Sequence, residues 1–319
     1  MESILSEIET VGIVPVIKID DPLKAVPLAR ALFQGGMTCV EITFRTTAAA
    51  EAIKRISQAV PEIAVGAGTV LSVENAQSAL EAGARFAVAP GCNPRVVSWC
   101  QEHGLPFIPG VNTPTAIELA LEKGITHLKF FPAEASGGVA MLQALSGPFP
   151  GVRFMPTGGI SLENIPSYAK CSNVFALGGS WMVNQDLIDK EDWDEIRRRS
   201  LQAVTAMQGF SLAHLGINCK DTDEAKETSA FFSLLGFVPK DGEKSIFNGT
   251  AIEVMKSPFL GSMGHIALSC WNIERSLAWL KRHGFSALME TARYDRGQLS
   301  VVYLDREIGG FACHLVRSR

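Results

Sequence analysis

Through residue 180 the chain repeats one pattern: a short apolar, β-prone run, then a longer stretch in which apolar and polar positions mix at helical spacing. The runs cover residues 12–17, 38–43, 63–66, 84–89, 105–108, 126–131, 152–155 and 173–177, with starts 21 to 26 residues apart. Unbroken apolar runs, as opposed to strict alternation, suit parallel strands covered on both faces, and the segments between them are long enough for right-handed helical crossovers. Eight such units in about 200 residues predict an α/β fold of the compact (β/α)8 TIM-barrel type, with a doubly wound open sheet as the alternative.

The pattern changes after a charged helix predicted over 190–207, whose "EIRRRS" reads as a solvated face and which stops at Gly209. Beyond it lies an internal repeat. "HLGINC" (214–219) leads through a helical segment to "LLGF" at Phe237, and "HIALSC" (265–270) leads likewise to "RHGF" at Phe285. Each copy continues into β-like runs, "KSIFNGTAIEVM" in one and "QLSVVYLD" with "GGFACHLV" in the other. This predicts an α+β domain of two paired βαβββ modules and argues against further barrel units. The expected division is a barrel domain at 1–209 and a second domain at 210–319.

Length agrees, since 319 residues suit two domains better than one. The chain has no apolar run long enough to span a bilayer, and Glu2, Glu7, Glu9, Asp20 and Asp21 near its start do not suit a signal peptide, so a cytoplasmic protein without membrane contact is expected. The 7 cysteines include no C-x-x-C pair, which points to idle thiols in a reducing compartment. The net charge of −4 divides into 16 basic against 21 acidic residues over 1–209 and 13 against 12 over 210–319. Neither half has the basic excess that nucleic acid requires. An anionic ligand of the first half would need a local arrangement to hold it.

In a parallel barrel, working residues lie at the carboxyl ends of the strands. The second run ends "VEITFRT", where alternation puts Glu41, Thr43 and Arg45 on one face. The third ends "GAGTV" with Thr69, and the fourth "VAPG" with Pro90. The seventh and eighth end "PTGGI" and "LGGS", and paired glycines at these two positions suit a phosphate or carboxylate cradle from Gly158, Gly159, Gly179 and Ser180. The sixth, "THLKFFPAEASGG", puts Lys129 and Phe131 on one face, with Leu128 and Phe130 on the other. A lysine there is either paired with Glu41 as a buried ion pair or kept neutral as a nucleophile. An apolar setting disfavours the charged form, and a neutral amine can attack a ketone to form a Schiff base.

These residues match a family. "VPVI", "VEITFRT", "VGAGTVL", "HLKFFPAEASGG", "RFMPTGGI" and "LGGSW" resemble, in order and spacing, the class I aldolases that cleave 2-keto-3-deoxy-6-phosphogluconate (KDPG), many of which also act on 4-hydroxy-2-oxoglutarate (KHG). The resemblance implies a homotrimeric barrel needing no cofactor, in which Lys129 forms the imine with a small 2-oxo acid and Glu41 is general acid and base. It implies that Arg45, Thr69 and Thr157 hold the pyruvoyl carboxylate or orient water. Phe131 and Pro90 would shape the pocket, and the glycine pairs with Ser180 would take the phosphate. A phosphosugar isomerase or epimerase on the same barrel is the rival reading, and it needs no imine lysine.

The paired modules of the second half resemble the vicinal oxygen chelate superfamily, which includes glyoxalase I and extradiol dioxygenases. Carried over by position, its metal ligands are His214, Glu253, His265 and His314, a set that suits Zn, Ni, Fe or Mn. His314 stands where glutamate is usual, and about 110 residues is short for the superfamily. This half could accordingly hold a metal, carry a glyoxalase or dioxygenase activity, or serve only as a sensor or oligomer contact. His103 and His283, each before a glycine at a helix end, read as residues meeting the helix dipole. His127 reads as a core residue beneath Lys129, and Lys18 as a solvated lysine past the first strand.

Overall fold

Ser3 accepts a hydrogen bond from the Ser6 N–H and so starts helix α1 (Ile4–Val11), and Gly12, at φ +73°, ends it and turns the chain into strand β1 (Ile13–Ile17). In the computed structural model, which describes residues 3–318, strands and helices then alternate. They are α2 (Ala25–Gln34), β2 (Cys39–Thr43), α3 (Ala49–Ala59), β3 (Ala64–Gly68), α4 (Val73–Glu81), β4 (Ala87–Val88), α5 (Pro94–Glu102), β5 (Phe107–Ile108), β6 (Gly110–Val111), α6 (Pro114–Glu122), β7 (His127–Phe130), α7 (Gly138–Ser146), β8 (Arg153–Pro156), α8 (Ile165–Ala169), β9 (Leu177–Gly179), α9 (Gln185–Asp189) and α10 (Trp193–Gln208).

Parallel pairing runs β5-β4-β3-β2-β1-β9 and β6-β7-β8, and bridges Phe154↔Val174 and Thr157↔Gly178 join β8 to the segment of β9. β5 and β6 are one strand position interrupted at Pro109, which has no N–H to give to the ladder. The order therefore closes on itself as an α/β TIM-like fold, whereas a doubly wound sheet would keep two free edges. Helices cover it with periodic apolar faces, such as Ala49, Ala52, Ile53 and Ile56 of α3, all buried. Ser72, Asn93 and Thr113 cap α4, α5 and α6, fixing short turns where the strands end.

Most strands are trimmed by a residue or more relative to the apolar runs, and two are displaced. The third strand extends to Gly68, and the eighth run becomes β9 at Leu177–Gly179, because Asn173 is buried and donates through Nδ2 to Leu142 O at 2.8 Å. The chain divides into two compact units after Met207.

The second unit comprises β10 (Ser211–Asn218), α11 (Thr222–Leu234), β11 (Pro239–Asp241), β12 (Ser245–Asn248), β13 (Ile252–Met255), β14 (Gly264–Cys270), α12 (Ile273–Arg282), β15 (Ala287–Asp295), β16 (Gln298–Ile308) and β17 (Phe311–Arg317). That is βαβββ twice. One sheet runs β11-β12-β13-β10-β14-β17-β16-β15, with β10 and β14 antiparallel at its centre and each parallel to the last strand of its own copy. Each copy builds its own small core. One gathers Cys219, Ala225, Ile246 and Val254, the other Cys270, Ile273, Leu299, Val302 and Leu315. Edge strands β11 and β15 lie outside the apolar runs that announced the others.

Candidate active site

Lys129 and Glu41 meet inside the first unit. β2 and β7 stand four positions apart on a ring of eight, so only side chains pointing into the lumen from opposite walls can touch. Lys129 Nζ lies 3.3 Å from Glu41 Oε1, with the glutamate fully buried and the lysine 5% exposed. Glu41 Oε2 is buried without a hydrogen bond among the described residues, which leaves one carboxylate edge available to a ligand's proton. The Phe131 ring centroid is 5.6 Å from the amine. Ion pair and nucleophile are thus not exclusive, since the carboxylate that pairs the amine is also placed to move its protons.

Gly68 is a site residue that sequence reasoning missed. A Cβ there would collide with Glu41 Oε1, so the bare backbone of β3 makes room for the carboxylate. Thr69, next in the chain, has φ +57°, a left-handed conformation costly for a β-branched residue and characteristic of functional turns. Thr43 is buried, donates to Ile17 O at 2.9 Å and accepts from Arg45 Nε at 3.1 Å, which ties the exposed Arg45 to the end of β2. Pro90 packs its backbone against Gly110, beside Lys129 in the β6–β7 register. Thr157 is buried against Gly178. Gly158 and Gly159 have φ +98° and +81°, and Gly179 is buried while Ser180 is exposed. The Thr157↔Gly178 bridge brings the two turns onto neighbouring strands.

Among the other residues singled out, His127 corrects its reading as core. It is half-buried, edge-on to Phe175 at 5.0 Å, and burial and the charge of Arg153 hold its imidazole below the ordinary range. Lys18 is exposed and pairs with Asp20 at 2.7 Å. His103 and His283 contact the carbonyls of Trp99 and Trp279, four residues back, through Nδ1 at 2.8 and 2.9 Å.

In the second unit, four adjacent strands each bring one polar side chain to one face. The registers place Glu253, Gly216 and His265 in one row, and His214, Ala267 and His314 in the next. His214 Nε2 is 3.1 Å from His265 Nε2 and 3.2 Å from Glu253 Oε2, and His265 Nε2 is 3.1 Å from that oxygen. The three imidazoles offer nitrogens within 4.8 Å of one another. Donors bound tetrahedrally at about 2.0–2.1 Å stand roughly 3.3 Å apart, which the separations among His214, His265 and Glu253 match. Both ring nitrogens of His314 are buried without a hydrogen bond among the described residues. Burial, then the charges of His265 and His214, push His314 down to about 3, the neutral form a metal needs. Burial opposes ionisation of Glu253, but hydrogen bonds from His214, His265 and Ser245 outweigh it and hold the carboxyl well below its usual range. Gly216 and Ser245 were missed in the sequence: a Cβ at Gly216 would strike the His265 ring, and Ser245 Oγ donates to Glu253 Oε1 at 2.6 Å.

The first unit is thus a TIM-like α/β fold with a buried amine facing a carboxylate across its lumen, the site of an enzyme that works through a lysine. A family model described as KDPG and KHG aldolase matches residues 4–199, and the chain belongs to that family. It is 50% identical over 204 residues to the 2-dehydro-3-deoxy-phosphogluconate aldolase of Treponema pallidum (strain Nichols), covering 64% of this chain and 97% of the relative. To the KHG/KDPG aldolase of Escherichia coli (strain K12) it is 44% identical over 203 residues, covering 64% and 94%. Among solved structures, KDPG aldolase from Legionella pneumophila with pyruvate captured as a covalent carbinolamine matches at TM-score 0.61 and 38% identity, covering 62% of this chain and 97% of that one. The Zymomonas mobilis ZM4 enzyme with 3-phosphoglycerate matches at TM-score 0.60 and 37% identity, covering 64% and 96%.

Proposed function

We infer that the first unit is a class I aldolase that cleaves KDPG to pyruvate and glyceraldehyde 3-phosphate, KHG to pyruvate and glyoxylate, or both, with Lys129 as nucleophile. The carrying observation is the buried Lys129–Glu41 pair at 3.3 Å. The amine adds to the C2 ketone, and loss of water gives a protonated imine. Glu41 takes the C4 hydroxyl proton, the C3–C4 bond breaks, and its electron pair enters the imine to form an enamine as the aldehyde leaves. Glu41 returns a proton to C3, and hydrolysis frees pyruvate and the lysine. Arg45, Thr69 and Thr157 are assigned to the pyruvoyl carboxylate and water, Phe131 and Pro90 to the pocket wall, and Gly158, Gly159, Gly179 and Ser180 to the terminal anion. An isomerase would leave the lumen amine without a task. Borohydride reduction with pyruvate should add the reduced adduct to Lys129 by mass spectrometry; an unmodified Lys129, or carbon–carbon cleavage surviving Lys129→Met, would sink this reading.

The domains we assign are a (β/α)8 aldolase barrel at 1–209 and a vicinal oxygen chelate-like module at 210–319. In the second, His214, Glu253, His265 and His314 would hold Zn, Ni, Fe or Mn, which would act there as a Lewis acid. Support comes from one donor on each of four central strands, three of them at cation spacing and the three imidazoles within 4.8 Å of one another. Metal analysis of His214→Ala and His265→Ala should show loss of bound cation, and full retention removes the site. A homotrimer in the cytoplasm completes the proposal, and light scattering at three protomer masses is the result expected. No helix among the described residues is long and apolar enough to cross a membrane.

A further inference from the structure

The turn after β8 is made of glycines at φ +98° and +81°, conformations that glycine adopts freely but does not by itself hold. Its shape is imposed by neighbours. Ala133 and Glu134 donate their N–H groups to Thr157 O and Gly158 O at 2.8 and 3.1 Å, and Asn164 Nδ2 donates to Gly159 O at 2.9 Å. With its carbonyls engaged, the turn leaves the N–H groups of Gly159 and Ile160 without a hydrogen bond among the described residues. Successive amides of this kind form an anion cradle.

The side chain behind the turn is Glu134. A Cβ on Gly159 would lie 2.5 Å from Glu134 Cγ and 2.7 Å from its Cβ, so the glycine backbone rests directly on this stem. Glu134 is itself exposed, yet its Oε1 accepts a hydrogen bond from the hydroxyl of Tyr168, which is 1% exposed and sits on α8, the helix following the turn. Gly138, at the start of α7, leaves room for the contact: a Cβ there would lie 3.1 Å from Glu134 Oε1 and 3.2 Å from the Tyr168 hydroxyl. Burial, then the hydrogen bond to Glu134, push the phenol above its ordinary range, so it remains a donor throughout the physiological range. A carboxylate beside an anion cradle opposes the anion by charge, and its engagement by a buried phenol gives it a mechanical use there.

We propose that Glu134 and Tyr168 are a positioning pair whose hydrogen bond holds the Gly158–Gly159 turn ready for the substrate's terminal phosphate, and so sets preference for phosphorylated over unphosphorylated substrate. This rests on the aldolase reading above. KDPG reaches the turn with its phosphate, whereas KHG is shorter and ends at the carboxylate beside C4. The pair touches no reacting atom, so its loss acts on binding of one substrate.

The test is steady-state kinetics of Tyr168→Phe, Glu134→Ala and Glu134→Gln on both substrates, with inorganic phosphate as inhibitor and thermal melting as a folding check. Losing one such hydrogen bond predicts KM for KDPG up about tenfold in Tyr168→Phe and Glu134→Ala, with kcat and all KHG constants within about twofold. Phosphate inhibition should weaken by the same factor, and Glu134→Gln, whose amide oxygen still accepts, should restore wild-type values. Equal shifts for both substrates, a change in kcat alone, or Glu134→Gln failing like Glu134→Ala would overturn the pair's role. A wild type indifferent to phosphate would overturn it too, by removing the phosphate subsite. Borohydride trapping of pyruvate on each variant reads the Lys129 imine separately, so failure of the aldolase reading is distinguishable.

Discussion

At the scale of single residues, the barrel site depends on what glycine leaves out. Gly68→Ala puts a methyl where Glu41 Oε1 sits, on a strand that cannot shift without its neighbours. We expect cleavage to fall by about 100-fold or more with the fold retained, because displacing Glu41, the proposed general base, costs at least that role's usual contribution. Pyruvate-release assays beside far-UV circular dichroism check this. Burial also decides thiol chemistry. It pushes Cys39 up to about 12 and Cys100 up to about 11, and among the 7 cysteines only Cys92 is not buried. Iodoacetamide on the native protein should therefore label Cys92 first, which peptide mapping reads directly. His127 has a pH consequence. Held below its ordinary 6.5, it resists a proton that the unfolded chain accepts, so the barrel loses stability as pH falls through 6.5 and on toward the lower folded value. His127→Gln should flatten the fall in melting temperature between about pH 7 and about pH 5. Lys129 and Glu41 were legible from sequence because a charge inside an apolar run calls for explanation. Gly68, Gly216 and Tyr168 were not, since a glycine reads as a turn and a tyrosine as core until its neighbours across the sheet are known.

At the scale of elements, register converts spacing into sites. On β10 Gly216 faces His265, and the ring occupies the place of the missing side chain. Gly216→Ala should displace that imidazole and lower binding of the proposed cation without unfolding the sheet, as metal analysis and melting curves would show. Retained metal would mean that the ring tolerates the methyl. The apolar runs located the ring strands and the central strands of the second sheet, because those are buried on at least one face. β11, exposed at every position, and the largely exposed β15 lie at the sheet's edges, where packing imposes no apolar pattern for a reader to find. The strand ending at Gly179 was misplaced for a related reason: its apolar start bridges Phe154 singly before regular pairing begins.

For the whole molecule, the change in pattern near Gly209 and the division after Met207 mark two units, and relatives matched over 94% to 97% of their own length correspond to the first alone. A chain ending at Gly209 should then fold and form the pyruvate imine at Lys129, measured by the same borohydride trapping. Failure would make the second unit necessary for the first. The overall charge said little about either site, because both are made by a few side chains meeting inside a fold.

The two copies in the second unit each contribute half of the four-donor cluster: His214 and Glu253 come from one, His265 and His314 from the other. Neither copy alone supplies more than two of the donors to the proposed cation, whereas side by side they supply all four within a single polypeptide. If the proposed cation is held there, nicking the connection at 256–263 should yield two fragments whose reassociation the cation promotes and a chelator weakens.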